Sequence, residues 1–312
     1  MTWVIATNVL LGYAVGISDI RITFGPPDSR QERDCLQKIY SVGPDLAAGF
    51  AGSVEIGFAM IGSLQKALKL EDQSLAWDPR SIAEQWPSHA RKIFNRYPAA
   101  QQQLGSQLIL IGANPKENAL DAPAMRTCVY SFSWPEFEPV QARPHEVLSI
   151  GSGSNVTPYR QLLERYSSDH KFRNMLLMGE SMAGGATTMF GSYVTNVVKD
   201  NPSPGVSPHL HLCLVRSGEV QVWPNDYSYK GRWQAHSLGP PAQNPRPDFA
   251  DMERFSMPTV ATSFEELCQI LGGDAALGRT SIAPILDSAA RGLPPLQITN
   301  RPDTFTVLRE PK

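Results

Sequence analysis

The hydrophobic pattern of this chain changes period at Ser53, and that switch constrains the fold more than any other feature. Before it, short apolar runs rich in β-branched residues alternate with turns at 3–6, 10–17 and 46–50, which reads as strands. After it, Val54, Phe58, Ile61, Leu64 and Leu68 recur at three- and four-residue spacing, with Ser53 and Glu55 suited to a helix N-terminus. A second helix is expected over 81–94, where Pro87 should kink it or mark its true start. Strands return at 107–111, 128–134 and 147–150, and two more helices follow near 158–166 and over about 172–198. Strands at 210–215 and 220–223, joined by a turn around Ser217 and Gly218, close the series. Strands, two helices, strands, two helices, strands is an order that folds as two sheets face to face with helices on both outer sides. The expected class is therefore α+β, a four-layer αββα sandwich.

This pattern occupies residues 1–229. After about Tyr229, prolines at 240, 241, 245, 247 and 258 interrupt a polar stretch, so 230–312 reads as a partly ordered C-terminal extension. Within it, short helices are expected near 264–271 and 282–290. There is no internal repeat.

Charge and composition exclude several classes. A net charge of −2 from 28 basic and 30 acidic residues, without a run of one sign, gives none of the basic footprint that nucleic acid needs. The apolar stretch 3–17 is interrupted by Asn8 and lacks a basic leading segment, which argues against a signal peptide. No run reaches the roughly 18 apolar residues of a membrane span, so the expected compartment is the cytoplasm. Cys35, Cys128, Cys213 and Cys268 are far apart and form no CxxC pair, so they read as buried thiols.

Chemistry enters at Met1-Thr2. Removal of an initiator Met before a small residue would leave a threonine hydroxyl beside a free α-amine, whose ordinary pKa of about 7.7–8.0 suits a general base. Many cytosolic proteins begin this way, so Thr2 alone says little. Seventeen positions on stands Asp19, in Gly-Ile-Ser-Asp-Ile-Arg-Ile-Thr, and nineteen further Lys38, in Gln-Lys-Ile-Tyr. Ala-Gly-Phe-Ala-Gly-Ser follows at 48–53. Taken singly, Asp19 reads as a turn residue and Lys38 as a solvated charge.

Together these elements resemble proteasome β-subunits and the bacterial HslV-type proteases, which carry an N-terminal Thr, an Asp-x-Arg-x-Thr element, a Lys-Ile or Lys-Leu element and a glycine-rich segment leading into a helix. The resemblance spans roughly 2–225 and implies the N-terminal-nucleophile (Ntn) hydrolase fold. It assigns Thr2 as nucleophile, Asp19 and Lys38 as its supporting charged pair, and the Gly52 N–H as oxyanion donor. At Gly151-Ser152-Gly153 it places Ser152 against the N-terminal amine, and at Asp200-Asn-Pro-Ser203 it assigns Asp200 and Ser203 to the network around that amine. Departures are one extra residue between Thr2 and Asp19, about three in the loop 25–33, and 204–208 in place of glycines after Ser203.

The implied activity is a threonine-type peptidase, conditional on loss of Met1 and needing no cofactor or metal. A homo-oligomeric ring and an unfoldase ATPase are its implied partners. A small-molecule Ntn amidase and a catalytically silent assembly protein of the same fold stay open as alternatives. His209 and His211, two apart on an expected strand, lack an evident third metal ligand. Ala183-Gly184-Gly185-Ala186 fits close helix packing better than nucleotide binding. The aromatics Trp223, Tyr227, Tyr229 and Trp233 suit an anchor for the extension or a partner surface.

Overall fold

The computed structural model describes residues 2–10, 13–25, 30–68, 77–113, 127–177, 183–229 and 252–272. The fold is mixed α+β. In chain order its elements are strands β1 (Trp3–Leu10), β2 (Tyr13–Asp19), β3 (Arg21–Phe24), β4 (Gln31–Asp34), β5 (Ile39–Gly43) and β6 (Leu46–Gly52), then helices α1 (Val54–Ala67), α2 (Pro79–Phe94) and α3 (Ala99–Gln102). Strands β7 (Ser106–Ala113), β8 (Thr127–Ser133), β9 (Val140–Gln141) and β10 (Val147–Gly151) precede helices α4 (Thr157–Ser168), α5 (His170–Leu177) and α6 (Ala183–Asp200). Strands β11 (Leu210–Arg216), β12 (Glu219–Asn225), β13 (Tyr227–Tyr229) and β14 (Met252–Arg254) and helix α7 (Phe264–Ile270) complete the series.

Two five-stranded antiparallel sheets carry the fold, ordered β10-β1-β2-β11-β12 and β5-β6-β7-β8-β9. The inner strands β1, β2, β6, β7 and β11 are buried on both faces, and alternation sorts the side chains between them. On β1, Val4 and Ala6 join a cluster with Ala47, Ile109 and Ile111 of the other sheet, so this cluster lies between the sheets. Trp3 and Ile5 point the other way, into a cluster with Tyr159 and Leu162 of α4 and Phe190 and Val194 of α6. Likewise Leu46, Ala48 and Phe50 of β6 pack with Ile56, Met60 and Leu64 of α1 and Trp86 and Ile93 of α2. Each fully buried leucine or isoleucine here stabilises the fold by about 1.5–3 kcal/mol.

The change of period at Ser53 becomes a strand-to-helix junction. Ser53 is the N-cap of α1, and its Oγ accepts from the Ile56 N–H at 3.4 Å. Helix α2 begins at Pro79, earlier than either reading of Pro87 required. Asp78 caps it, accepting from Arg80 N at 2.9 Å and Ser81 Oγ at 3.0 Å, and proline is favoured in a first turn. Pro87 sits inside the helix, where burial of Ile82, Trp86 and Ala90 compensates for the missing hydrogen bond. The single helix expected over 172–198 is described as α5 and α6 on either side of 178–182.

The described part of the C-terminal segment is stitched to the body. Ala261 exchanges hydrogen bonds with the chain beside Lys38, donating to Cys35 O at 2.7 Å and accepting from Gln37 N at 3.0 Å. Phe264 meets Phe58 of α1 edge-on at 5.7 Å. The helix expected near 282–290 and Trp233 lie outside the described residues. Among the described residues no helix is long and apolar enough to cross a membrane.

Candidate active site

Thr2 immediately precedes β1, a strand held between β10 and β2, with Trp3 opposite Gly151 and Val4 opposite Ser18. Trp3 anchors that end. Its indole stacks on Tyr159 at 4.6 Å and donates from Nε1 to Ser149 Oγ at 2.9 Å, so the residue before it is fixed in place. Thr2 is only 4% exposed.

Ser152 and Thr2 are tied to each other. The Thr2 N–H donates to Ser152 Oγ at 3.2 Å, and the Ser152 hydroxyl lies 3.3 Å from the Thr2 carbonyl oxygen that accepts from it. This close passage depends on Gly151. Its φ of +86° is a region L-residues avoid, and a Cβ there would stand 2.1 Å from the Thr2 carbonyl oxygen. The Gly151 N–H is fixed by Gln107 Oε1 at 2.7 Å.

Asp19, at the end of β2, and Lys38, just before β5, form a salt bridge of 2.9 Å with both side chains fully buried. Asp19 Oδ1 also accepts from the Trp3 N–H at 2.6 Å, while Oδ2 accepts from Arg21 N at 2.9 Å and Ser207 N at 3.3 Å. Four donors thus satisfy the buried carboxylate, and one belongs to the amide next to Thr2. Lys38 also donates to the Arg21 carbonyl. Burial lowers the Lys38 pKa from its ordinary value, against the opposing pull of the Asp19 charge.

A second layer lies behind this pair. Arg21 bonds Asp34 through Nε at 2.7 Å and Nη2 at 3.2 Å, and Ser207 Oγ donates to Asp34 Oδ2 at 2.7 Å. Burial pushes the Asp34 carboxyl up, but the Arg21 and Ser207 hydrogen bonds and the Arg21 charge outweigh it and hold the group below its usual range. Asp34 and Ser207 carry no motif and are missed by the sequence. Arg21 stands in the Asp-x-Arg element, which was its only signal.

Gly52 closes the far side. Its φ is +95°, a Cβ on it would meet the Gly105 carbonyl at 2.4 Å, and the next N–H, of Ser53, donates to that carbonyl at 2.9 Å. Thr2, Gly52, Gly151 and Ser152 share a cleft of about 830 Å³. Thr2, Asp19, Lys38 and Ser152 therefore form one connected cluster, with Gly52 across the cleft.

Asp200 and Ser203 do not join it. Asp200 ends α6 on the exposed surface, and among the described residues neither side chain bonds to the cluster. The longer loop explains this: Val206 is buried, Gly205 takes a φ of +76°, and the chain turns so that Ser207 reaches Asp19 and Asp34.

His209 packs against Phe255 at 5.3 Å, and burial lowers the pKa of both histidines, that of His211 to about 4. Among the described residues no group of three or more His, Cys, Asp or Glu is placed to hold a metal. No family model matches this chain, and no curated protein matches it.

With Met1 attached, the nitrogen beside Ser152 is an amide and has no basicity. With Met1 removed it becomes an α-amine on the residue that bears the hydroxyl, within reach of Ser152 and next to the amide that Asp19 holds.

Proposed function

We propose that this chain is a threonine-type amide hydrolase acting on peptides, an Ntn hydrolase resembling proteasome β-subunits, whose nucleophile is Thr2 after loss of Met1. The observation that carries the reading is that the Thr2 N–H bonds Ser152 at the edge of a cleft, while the adjoining Trp3 N–H bonds Asp19 of the buried Asp19–Lys38 pair. The order of the apolar clusters, helices, sheet, sheet, helices, supports the αββα sandwich this family would have.

In the proposed reaction Thr2 Oγ1 attacks the scissile carbonyl and its proton passes to the α-amine. The buried Lys38 charge favours the developing alkoxide, and Asp19 holds that charge in place. The Gly52 N–H donates to the carbonyl oxygen as it becomes an oxyanion. Collapse expels the amine half of the substrate, which takes the proton, and leaves an ester on Thr2. Water activated by the α-amine then attacks the ester, releasing the acid half and restoring the hydroxyl. A cleft of about 830 Å³ is within the usual range for small-molecule sites and accepts a few residues of an extended chain. A homo-oligomeric ring and an unfoldase partner belong to this reading through the resemblance alone, and a cytoplasmic location through the sequence pattern.

The test is hydrolysis of unstructured peptides by protein whose Met1 has been removed, with intact mass as the check on removal. Thr2→Ala is expected to lower the rate by at least about 10³-fold while the fold persists. Equal rates for the two proteins would exclude Thr2 as nucleophile, and cleavage of small amides alone would favour a metabolite amidase.

A further inference from the structure

Among the described residues three large apolar side chains are conspicuously exposed, Leu104 at 59%, Trp134 at 49% and Val140 at 58%, and the first two line the same cleft as Thr2. Both are held rather than loose. Leu104 sits on a tight turn after α3, with its N–H on Gln101 O at 3.2 Å and the Gly105 N–H on Gln102 O at 2.9 Å. Side-chain bonds from Gln102 Nε2 to Tyr97 O at 2.7 Å and from Ser53 Oγ to Gln101 Oε1 at 2.6 Å brace the turn. The Trp134 backbone is tied to Ser106 O at 3.0 Å, and its ring leans on Phe94 at 5.6 Å. Single exposed apolar residues are unremarkable, but two fixed on one concavity mark a binding surface.

The rest of the lining sharpens the choice of ligand. Gln107 spends its amide on Gly151 N at 2.7 Å and Ser133 Oγ at 3.1 Å, and Gln101 on Ser53, so these polar groups are engaged within the protein. Among the described residues the charged members of the lining are Arg30 and Glu55, of opposite sign, which leaves no net charge to select a charged substrate. Register supplies the distance. Gly52 lies opposite Ser106, and Trp134 bonds Ser106 from the next strand, so Trp134 is two strand spacings, about 10 Å, from Gly52. An extended peptide advances about 3.3 Å per residue and covers that distance in about three.

We infer that Leu104 and Trp134 form an apolar subsite that takes an aromatic or large aliphatic side chain of a peptide substrate, about three residues from the cleaved amide. This rests on the hydrolase reading above for the position of the cleaved bond, but not for the binding itself.

The experiment uses N-acetylated octapeptide amides built from Ser, Gln and Ala, with a single Phe moved along the chain. The expected result is a kcat/KM about tenfold higher when Phe stands three residues from the cut on one side, the scale of an apolar pocket contact. Leu104→Ser and Trp134→Ser each remove that preference, so that the Phe and Phe-free peptides are cut at equal kcat/KM, whereas Val140→Ser, outside the cleft, retains it. Loss shared equally by the two peptides, or a preference that survives both substitutions, would overturn the inference. In parallel, fluorescein-labelled Phe and Ser peptides are titrated onto the Thr2→Ala chain. About tenfold tighter binding of the Phe peptide, erased by Leu104→Ser, supports the subsite even where no peptide is hydrolysed, an outcome that would sink only the catalytic reading. Equal binding of both peptides overturns the subsite whatever the hydrolysis.

Discussion

Replacing Asp19 with alanine is expected to destabilise the protein by about 3–5 kcal/mol, because the fully buried Lys38 would lose its counter-charge and backbone amides of Trp3, Arg21 and Ser207 would lose their acceptor. Lys38→Met should cost less. The Asp19 carboxylate would keep its three backbone donors, and the methionine stem fills most of the lysine's volume. The double variant Asp19→Ala with Lys38→Met should fall well short of the sum, since no lone ammonium is left in the interior. A coupling of about 2 kcal/mol or more is expected. Urea denaturation of the four proteins measures this, with unchanged m-values as the check that the unfolded states are comparable. Additive losses would mean the two groups do not depend on each other. The same variants bear on activity, since under the proposed mechanism Lys38→Met lacks the charge that favours the alkoxide and is inactive while still folded.

Gly151→Ala is the second change expected to have a large effect. A left-handed backbone costs an L-residue about 1–2 kcal/mol, and placing a Cβ 2.1 Å from the Thr2 carbonyl oxygen adds an overpacking loss of about 1–3 kcal/mol. The clash is with backbone, so it is relieved by moving Thr2 away from Ser152. A displacement on the order of 1 Å costs about 10²-fold in rate when the displaced group does the chemistry. Gly218 supplies the comparison. It has a φ of +76° with nothing within 4 Å of an added Cβ, so Gly218→Ala should show the conformational loss alone and leave hydrolysis intact. Equal effects of the two substitutions on activity would remove Gly151 from the account.

Much of the body is legible in the sequence where local physics decides it. Ser53 signals its helix because a serine oxygen suits an N-cap and the apolar period changes beside it. The start of α2 was written at Asp78-Pro79, a capping residue followed by a first-turn proline, but Pro87 draws attention to a break that core packing overrides. Asp19 and Lys38 are legible only through a family pattern. Nothing local says that a lysine before a short strand will be entirely buried.

Asp34 and Ser207 were not legible. They are 173 residues apart, and their bond depends on how the loop after α6 turns around the buried Val206, which no periodicity encodes. The same loop leaves Asp200 at the surface although its spacing to Ser203 fits the pattern. For α7, Phe264, Leu267 and Leu271 predict a helix at their spacing, but its docking on Phe58, some two hundred residues earlier, is a tertiary fact.

The central claim is that Thr2, freed of Met1, carries a nucleophilic hydroxyl and a basic amine on one residue. A peptide epoxyketone tests this most directly, because its ketone and epoxide together require both groups. After incubation with the folded, Met1-free protein, peptide mapping by mass spectrometry should find one adduct, at Thr2, absent from Thr2→Ala and from protein that retains Met1. An unmodified Thr2 in folded protein whose Met1 is shown to be gone would contradict the account.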